Sequence, residues 1–322
     1  MSGAATRAEQ IRFNRLVRHF VHRFVDHELV AAGGELHQVF VTAFGLLGGF
    51  GFTLTLILGV RYFFVSDRIS ATARANLVAS DQTTLLRLMM AGTGFFVVLG
   101  WVALFTDRRD AYILGALPIR TRVIFEAKLY AILLFFFLLV AAVEAFPALV
   151  LSGAQYPEHF VRAFLVQALV LTSASALVFF GDMEPLGVLL AALSYTRFRQ
   201  VSSLLQVATL LGSFGMVFLT PDLREALHSG WNWPAWLPSF WFLALWQRLM
   251  DQPPMLDPAL SVRAALAVTG AVAIACVTFA AGYRRAMRKA VEGGEEAPSG
   301  PGAVHHSLRR LLNAMVLRDA RE

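Results

Sequence analysis

The stretch Leu129–Leu151, LYAILLFFFLLVAAVEAFPALVL, carries one charged residue, Glu144, and is otherwise almost wholly apolar. A helix rises about 1.5 Å per residue, so roughly 20 such residues cross the hydrocarbon of a bilayer. Comparable runs occupy Val39–Val65, Thr83–Phe105, Phe160–Phe180, Val201–Thr220 and Ala264–Tyr283. The expected fold is therefore all-α: a polytopic membrane protein with six transmembrane helices. Composition agrees, because 57% of the 322 residues are hydrophobic and 16% charged, where soluble domains carry about 25% charged. In the fourth run, Gly181-Asp182-Met183-Glu184-Pro185 interrupts apolar sequence that resumes at Leu186–Leu193. Either a kink or a short re-entrant piece is expected there.

Charge sets the orientation. Of the 28 Lys and Arg, only two are lysine. Most of the 28 lie before the first run, after the last, or between the second and third and the fourth and fifth. Positive charge favours the cytoplasmic side, which puts both termini in the cytoplasm. The net charge of +6 sits at the ends of apolar runs, a distribution that suits anionic headgroups rather than nucleic acid. The expected domains are a cytoplasmic N-terminus over 1–36, a transmembrane domain over 37–285, and a cytoplasmic linker with a short tail helix over 286–322. No cleavable signal peptide is expected, since the first apolar run is too long for one.

Three segments flank the spans. In IRFNRLVRHFVHRFVDHELV, Phe13, Leu16, Val17, Phe20, Val21 and Phe24 form one helical face and Arg12, Arg15, Arg18, His22 and Asp26 another. This reads as an amphipathic helix lying in the membrane interface. Five of the six tryptophans fall between Trp231 and Trp246, within an extracellular Trp/Pro-rich segment over 221–261. Indole rings prefer headgroup depth, and Pro234 and Pro238 forbid one straight helix, so a lid or re-entrant hairpin is expected. The tail opens as a Gly/Pro/Glu/Ser linker and ends in a helix with Leu308, Leu311, Leu312, Met315 and Val316 on one side.

Few residues point to chemistry. No G-x-x-x-x-G-K-[ST] occurs, so no P-loop cradles a nucleotide here. A single cysteine, Cys276, excludes an intrachain disulfide and a thiolate metal cluster. His19, His22 and Asp26 could share a helix face, but a polar headgroup face explains them equally and no metal site is expected. Phe179-Phe180-Gly181-Asp182 is similar to the Gly-Asp of intramembrane aspartyl proteases, but it lacks the first glycine of that motif and a second aspartate in a Tyr-Asp context. Glu144, Asp182 and Glu184 are candidate translocation-path residues, because a carboxyl at membrane depth commonly faces a cavity or the bundle interior. A bland reading of Glu144 is that it reaches water near the outer end of its span or stays protonated.

The remaining charged segment lies between the second and third spans. Thr106 can cap a short helix over Asp107–Leu114, Gly115 offers a left-handed stop, and Pro118 prevents continuation. Tyr112, Ile113 and Leu114 then stand as apolar residues amid Asp107, Arg108, Arg109 and Asp110. That combination fits either a groove on another protein or the headgroup layer.

From Trp101 to Lys128 the pattern W-x-x-L-F-T-D-R-R-D-A-Y-I-L-G-A-L-P-I-R-T-R-x-x-x-x-A-K resembles the loop between the second and third spans of ABC-2 type permeases. The bacterial subgroup it looks most like carries W-x-x-L-F-P-D-R-R-D…L-G-P-L-P-V-R…A-K-L. RFRQVSSLLQ at Arg197–Gln206, WLPSFWFLALWQ at Trp236–Gln247 and YRR at Tyr283–Arg285 extend the resemblance along nearly the whole chain. Thr106 and Ala116 stand where the subgroup usually has proline, and GDMEPLG is more acidic than the pattern.

The resemblance implies the permease subunit of an ABC exporter in a bacterial cytoplasmic (inner) membrane, with a coupling loop over 106–122. It implies that Asp107, Arg108, Arg109 and Asp110 make polar contacts with a separate P-loop ATP-binding subunit. Tyr112–Leu114 would fill a groove on that subunit, and Lys128 would begin the third span. ATP and Mg²⁺ would sit on the ATPase, with no cofactor and no enzymatic activity on this chain. The other implied partner is a second permease subunit, identical or a sister. Two alternatives stay open, a membrane-embedded hydrolase and a non-transporting anchor or assembly protein.

Overall fold

The computed structural model describes residues 10, 13–21, 36–65, 69–99, 121–193, 195–228 and 232–292. All regular structure among them is helical. Residues 13–21 form α1, followed by α2 (Leu36–Val65), α3 (Ala71–Leu99) and α4 (Thr121–Phe146). A π-helical turn, Pro147–Leu151, and the short α5, Ser152–Gln155, prolong α4. Beyond a tight connection come α6 (Phe160–Ala192), α7 (Tyr195–Phe218), α8 (Leu223–His228), α9 (Trp233–Trp236), α10 (Pro238–Leu249) and α11 (Ala259–Glu292). Asp107, Arg108, Arg109, Asp110, Tyr112, Ile113, Leu114 and Pro118, and the tail helix, lie outside the described residues.

Four segments are long and apolar enough to cross a membrane: Arg122–Gln155, Pro157–Leu189, Gln200–Phe218 and Ala259–Gly282. Helices α2 and α3 stand where the first two spans were expected, with α3 beginning at Ala71 rather than Thr83. Helix α6 is the axis of the bundle. It packs against α11, α3, α10, α4 and α7, while α2 leans on α4 and α7 leans on α3. Burial follows from that placement. Half of the apolar window of α6 is inside the protein, against 6% for α7, which leaves Leu204, Val207, Leu211, Phe214 and Phe218 exposed.

Apolar side chains gain little from meeting one another instead of lipid, so close backbone approach decides where helices touch. Gly51 of α2 faces the backbone of Val143 on α4, and an added Cβ would collide with that carbonyl. The same carbonyl has lost its ordinary α-helical donor, because Pro147 lacks an N–H. On α11, Ala264, Ala271 and Ala275 are buried, and Gly187 of α6 sits so close to Thr278 that a Cβ would come within 2.8 Å of its backbone carbon.

Two clusters of buried side chains divide the bundle by depth. One joins Leu54, Leu86, Met90, Val166, Phe242 and Leu260 near the α5–α6 connection, the hairpin end. The other joins Leu16, Phe20, Ile124, Phe136, Phe179 and Phe279 near the start of α4, the loop end.

Three expectations change in detail. Helix α6 runs through Pro185 as one element, so of the two expectations for this stretch the re-entrant piece falls away. Proline removes one N–H and leaves one carbonyl, that of Gly181, without its helical donor, and a continuous helix keeps the remaining backbone groups paired where lipid offers none. The apolar face of α1 is covered by protein, since Leu16, Val17 and Phe20 are buried with Ile124, Ala127 and Ala131. The Trp-rich segment is a short helical insertion. The 12-residue α10 buries Phe240, Phe242, Leu243 and Trp246 and packs on α11, α3 and α6, although it is too short to cross a bilayer.

Candidate functional site

Glu144 is 4% exposed and lies where α4, α6 and α3 meet. Ser175 Oγ donates to its Oε1 at 2.5 Å and Thr172 Oγ1 to its Oε2 at 3.2 Å. Thr93 Oγ1 of α3 is 3.0 Å from Ser175 Oγ and 2.9 Å from the Met89 carbonyl, so its single proton serves one or the other. The carboxyl therefore does not reach out to water. It is held by hydroxyls from α6 one turn ahead of the π-helical turn, an irregularity that often accompanies function. Sequence alone placed Glu144 in a span; its two hydroxyl partners come from α6, and the Thr93 hydroxyl behind Ser175 comes from α3.

Asp182 accepts from Thr209 Oγ1 of α7 at 3.0 Å, and its Oδ2 is buried without a hydrogen-bond partner among the described residues. Glu184, one residue past Met183, turns elsewhere. With Val188, Val201, Leu204, Leu205 and Ile274 it lines a cleft of about 590 Å³ between α6, α7 and α11. Glu144 and Asp182 thus hold different hydroxyls while Glu184 lines the cleft, and among the described residues no hydrogen bond links the three into one chain of groups.

Lys128 is seven residues into α4 and 2% exposed. Its Nζ lies 5.9 Å from the centroid of the Phe20 ring, a cation–π arrangement that ties α1 to α4. Its ammonium is enclosed rather than offered at a surface.

The hairpin end holds the largest polar network among the described residues, and sequence reading passed over most of it. Tyr62 Oη donates to Asp81 Oδ2 at 2.6 Å, and Arg61 Nη2 pairs with Asp81 Oδ1. Gln155 Nε2 donates to Tyr62 Oη at 3.1 Å. Gln82 and Gln167 exchange amide hydrogen bonds of 2.7 and 3.0 Å, and Trp246 Nε1 adds a third to Gln167 Oε1 at 3.0 Å. Gln82 Nε2 also reaches Gln155 Oε1 at 3.4 Å. Residues from α2, α3, α5, α6 and α10 are joined in this way, each satisfying a group that lipid could not. The signal in the sequence was Ser80-Asp81-Gln82-Thr83-Thr84 with Arg87, a polar run leading into an apolar helix. Starting the second span at Thr83 hid it.

Arg87 ties α3 to the end of α7. Its Nη1 donates to the Thr220 carbonyl, Thr220 Oγ1 and the Pro221 carbonyl at 3.0, 2.9 and 3.2 Å, a cation on the carbonyls that follow a helix C-terminus. Beside the network, α3, the α5–α6 connection and Gln252 enclose a pocket of about 330 Å³.

Comparison of the chain with protein-family models, with curated proteins and with solved structures found no match.

Proposed function

We propose that this chain is the membrane-spanning permease subunit of an ABC transporter, coupling ATP hydrolysis on a separate P-loop subunit to export. The motif from Trp101 to Lys128 supports the reading. The observation that carries it is mechanical. Directly after the charged loop, Ile124, Ala127 and Lys128 are already locked against α1 and the bundle core. Force applied to the loop by a docked ATPase passes into α4 without slack, and from α4 to α2 and α6. In this reading α2, α3, α4, α6, α7 and α11 are six spans of a bacterial inner-membrane protein, both termini are cytoplasmic, and two such subunits pair with two ATPases. Alternating access then follows from the different contacts the loop makes with each ATPase state.

Arg108→Glu with Arg109→Glu tests it. Purified in mild detergent, the wild-type chain is expected to bring a P-loop ATPase with it, and the double variant to insert normally and lose that partner. Retention of the ATPase by the variant overturns the coupling assignment. An intramembrane aspartyl hydrolase needs two acids sharing a proton; Asp182 and Glu144 hold different hydroxyls, which favours the transport reading.

A further inference from the structure

The pocket at the hairpin end is built from three segments distant in sequence. Ala71 and Arg74 come from the first turn of α3, Gln155 through His159 from the hairpin connection, and Gln252 from the α10–α11 connection. Its floor is Gln155, 3% exposed and bonded to Tyr62 and Gln82 beneath it.

Its charge is arranged unusually. Arg74 Nη2 donates to the Gln155 carbonyl at 3.0 Å. No carboxylate pairs with Arg74 among the described residues, and Arg74 is one of the residues lining the pocket. A guanidinium anchored by one backbone bond still carries further N–H donors, the kind of fork that recognises phosphate. Helix α3 has no acid in its first turn; Ser70 accepts from the Ala73 and Arg74 N–H groups, and the positive end of the helix dipole lies on the same wall. Glu158 supplies one negative charge on the connection. Burial pushes the Tyr156 phenol up to about 12 against the opposing pull of Arg74, so it stays a neutral donor. Two residues past His159, Val161, Leu165 and Leu169 stand exposed at 68%, 60% and 56%. That spacing makes one apolar stripe running down α6 from the connection.

We propose that this pocket binds the zwitterionic headgroup of a phosphatidylethanolamine-type lipid from the adjoining leaflet. Arg74 and the α3 N-terminus take the phosphate, Glu158 takes the primary ammonium, and the acyl chains lie along Val161, Leu165 and Leu169. The headgroup then sits on Gln155, and through it on the network that joins α2, α3, α6 and α10. Lipid occupancy thereby holds the hairpin end together. The proposal stands apart from the transport reading and uses neither ATPase nor substrate.

The test is native mass spectrometry of the full chain from nanodiscs of phosphatidylcholine doped with phosphatidylethanolamine or phosphatidylglycerol, counting lipids that survive delipidation. Wild type is expected to retain phosphatidylethanolamine over both other lipids. Arg74→Gln is expected to lower phospholipid retention about tenfold, the worth of one charge-assisted hydrogen bond, and Arg74→Lys to restore part of it. Glu158→Gln is expected to abolish only the preference over phosphatidylcholine, whose quaternary ammonium has no N–H to donate. Size-exclusion profiles check that each variant is folded. Equal retention of phosphatidylethanolamine and phosphatidylcholine by wild type overturns the proposal, as does unchanged retention in a folded Arg74→Gln variant. Displacement of the lipid by millimolar soluble phosphoethanolamine assigns the pocket to a free solute and overturns the lipid source.

Discussion

Gly51 and Glu144 show at the scale of single residues how little separates a membrane helix contact from a clash. A Cβ at Gly51 would meet the Val143 carbonyl, which is backbone and cannot swing aside, whereas Gly45 has open space around it. Gly51→Ala is therefore expected to lower stability by about 1–3 kcal/mol, the usual range for overpacking, and Gly45→Ala to change it little. Thermal unfolding in detergent distinguishes the two, and equal melting temperatures would contradict the close approach. For Glu144, alanine removes the acceptor of two hydroxyls, while glutamine keeps an acceptor and adds donors. Glu144→Ala is expected to cost about 1–2 kcal/mol, each interhelical hydrogen bond in a membrane being worth roughly 0.6–1.7 kcal/mol, with Glu144→Gln milder. A larger loss for glutamine than for alanine refutes this account of the hydroxyl shell.

At the scale of elements, the question is what keeps α10 inserted. Its buried apolar face is helped by Trp246 Nε1 on Gln167, by Arg248 Nη1 on Ser261 Oγ at 3.2 Å, and by Trp241 Nε1 on the Pro234 carbonyl at 3.1 Å. Trp246→Phe keeps most of the volume and deletes one donor, leaving Gln167 served by Gln82 alone. A loss of about 1 kcal/mol is expected, read as faster proteolysis between α9 and α11. The α2–α3 pair is held differently. Asp81 is buried while Arg61 is partly exposed, so Arg61→Gln leaves the carboxylate with Tyr62 as its remaining partner. A destabilisation of about 2–3 kcal/mol is expected, in the range for hydrogen bonds to charged groups. Unfolding midpoints of Arg61→Gln and Asp81→Asn should differ, the isolated buried charge being the costlier state.

On the scale of the whole molecule, the bundle has two chemically distinct ends. The hairpin end carries the glutamine, tyrosine and aspartate network; the loop end carries α1 and the enclosed Lys128. If the six-span topology holds, cysteines introduced at Ser70 and Glu158 in a Cys276→Ser background react with a membrane-impermeant maleimide from one side of the membrane. A cysteine at Glu126 reacts from the other. Labelling of all three from the same side removes the topology and, with it, the cytoplasmic placement of the coupling loop.

The apolar runs by themselves determined that the chain is helical with helices long and apolar enough to cross a membrane, and roughly where α4, α6, α7 and α11 lie. That holds because hydropathy is a property of one short window and needs no knowledge of neighbours. The candidate acids Glu144, Asp182 and Glu184 were visible for the same reason, as isolated charges in apolar surroundings. Only the tertiary structure decided what they meet, and it revealed the Gln82–Gln155–Gln167–Trp246 and Tyr62–Asp81–Arg61 groups. Those partners stand up to 93 residues apart along the chain. Their pairing is set by which helices cross and at what depth, and no local pattern in an amino-acid sequence records a crossing. Pro185 makes the same point in reverse: locally it allows a kink or a re-entrant piece, and the structure carries one helix through it because lipid offers its backbone no other partners.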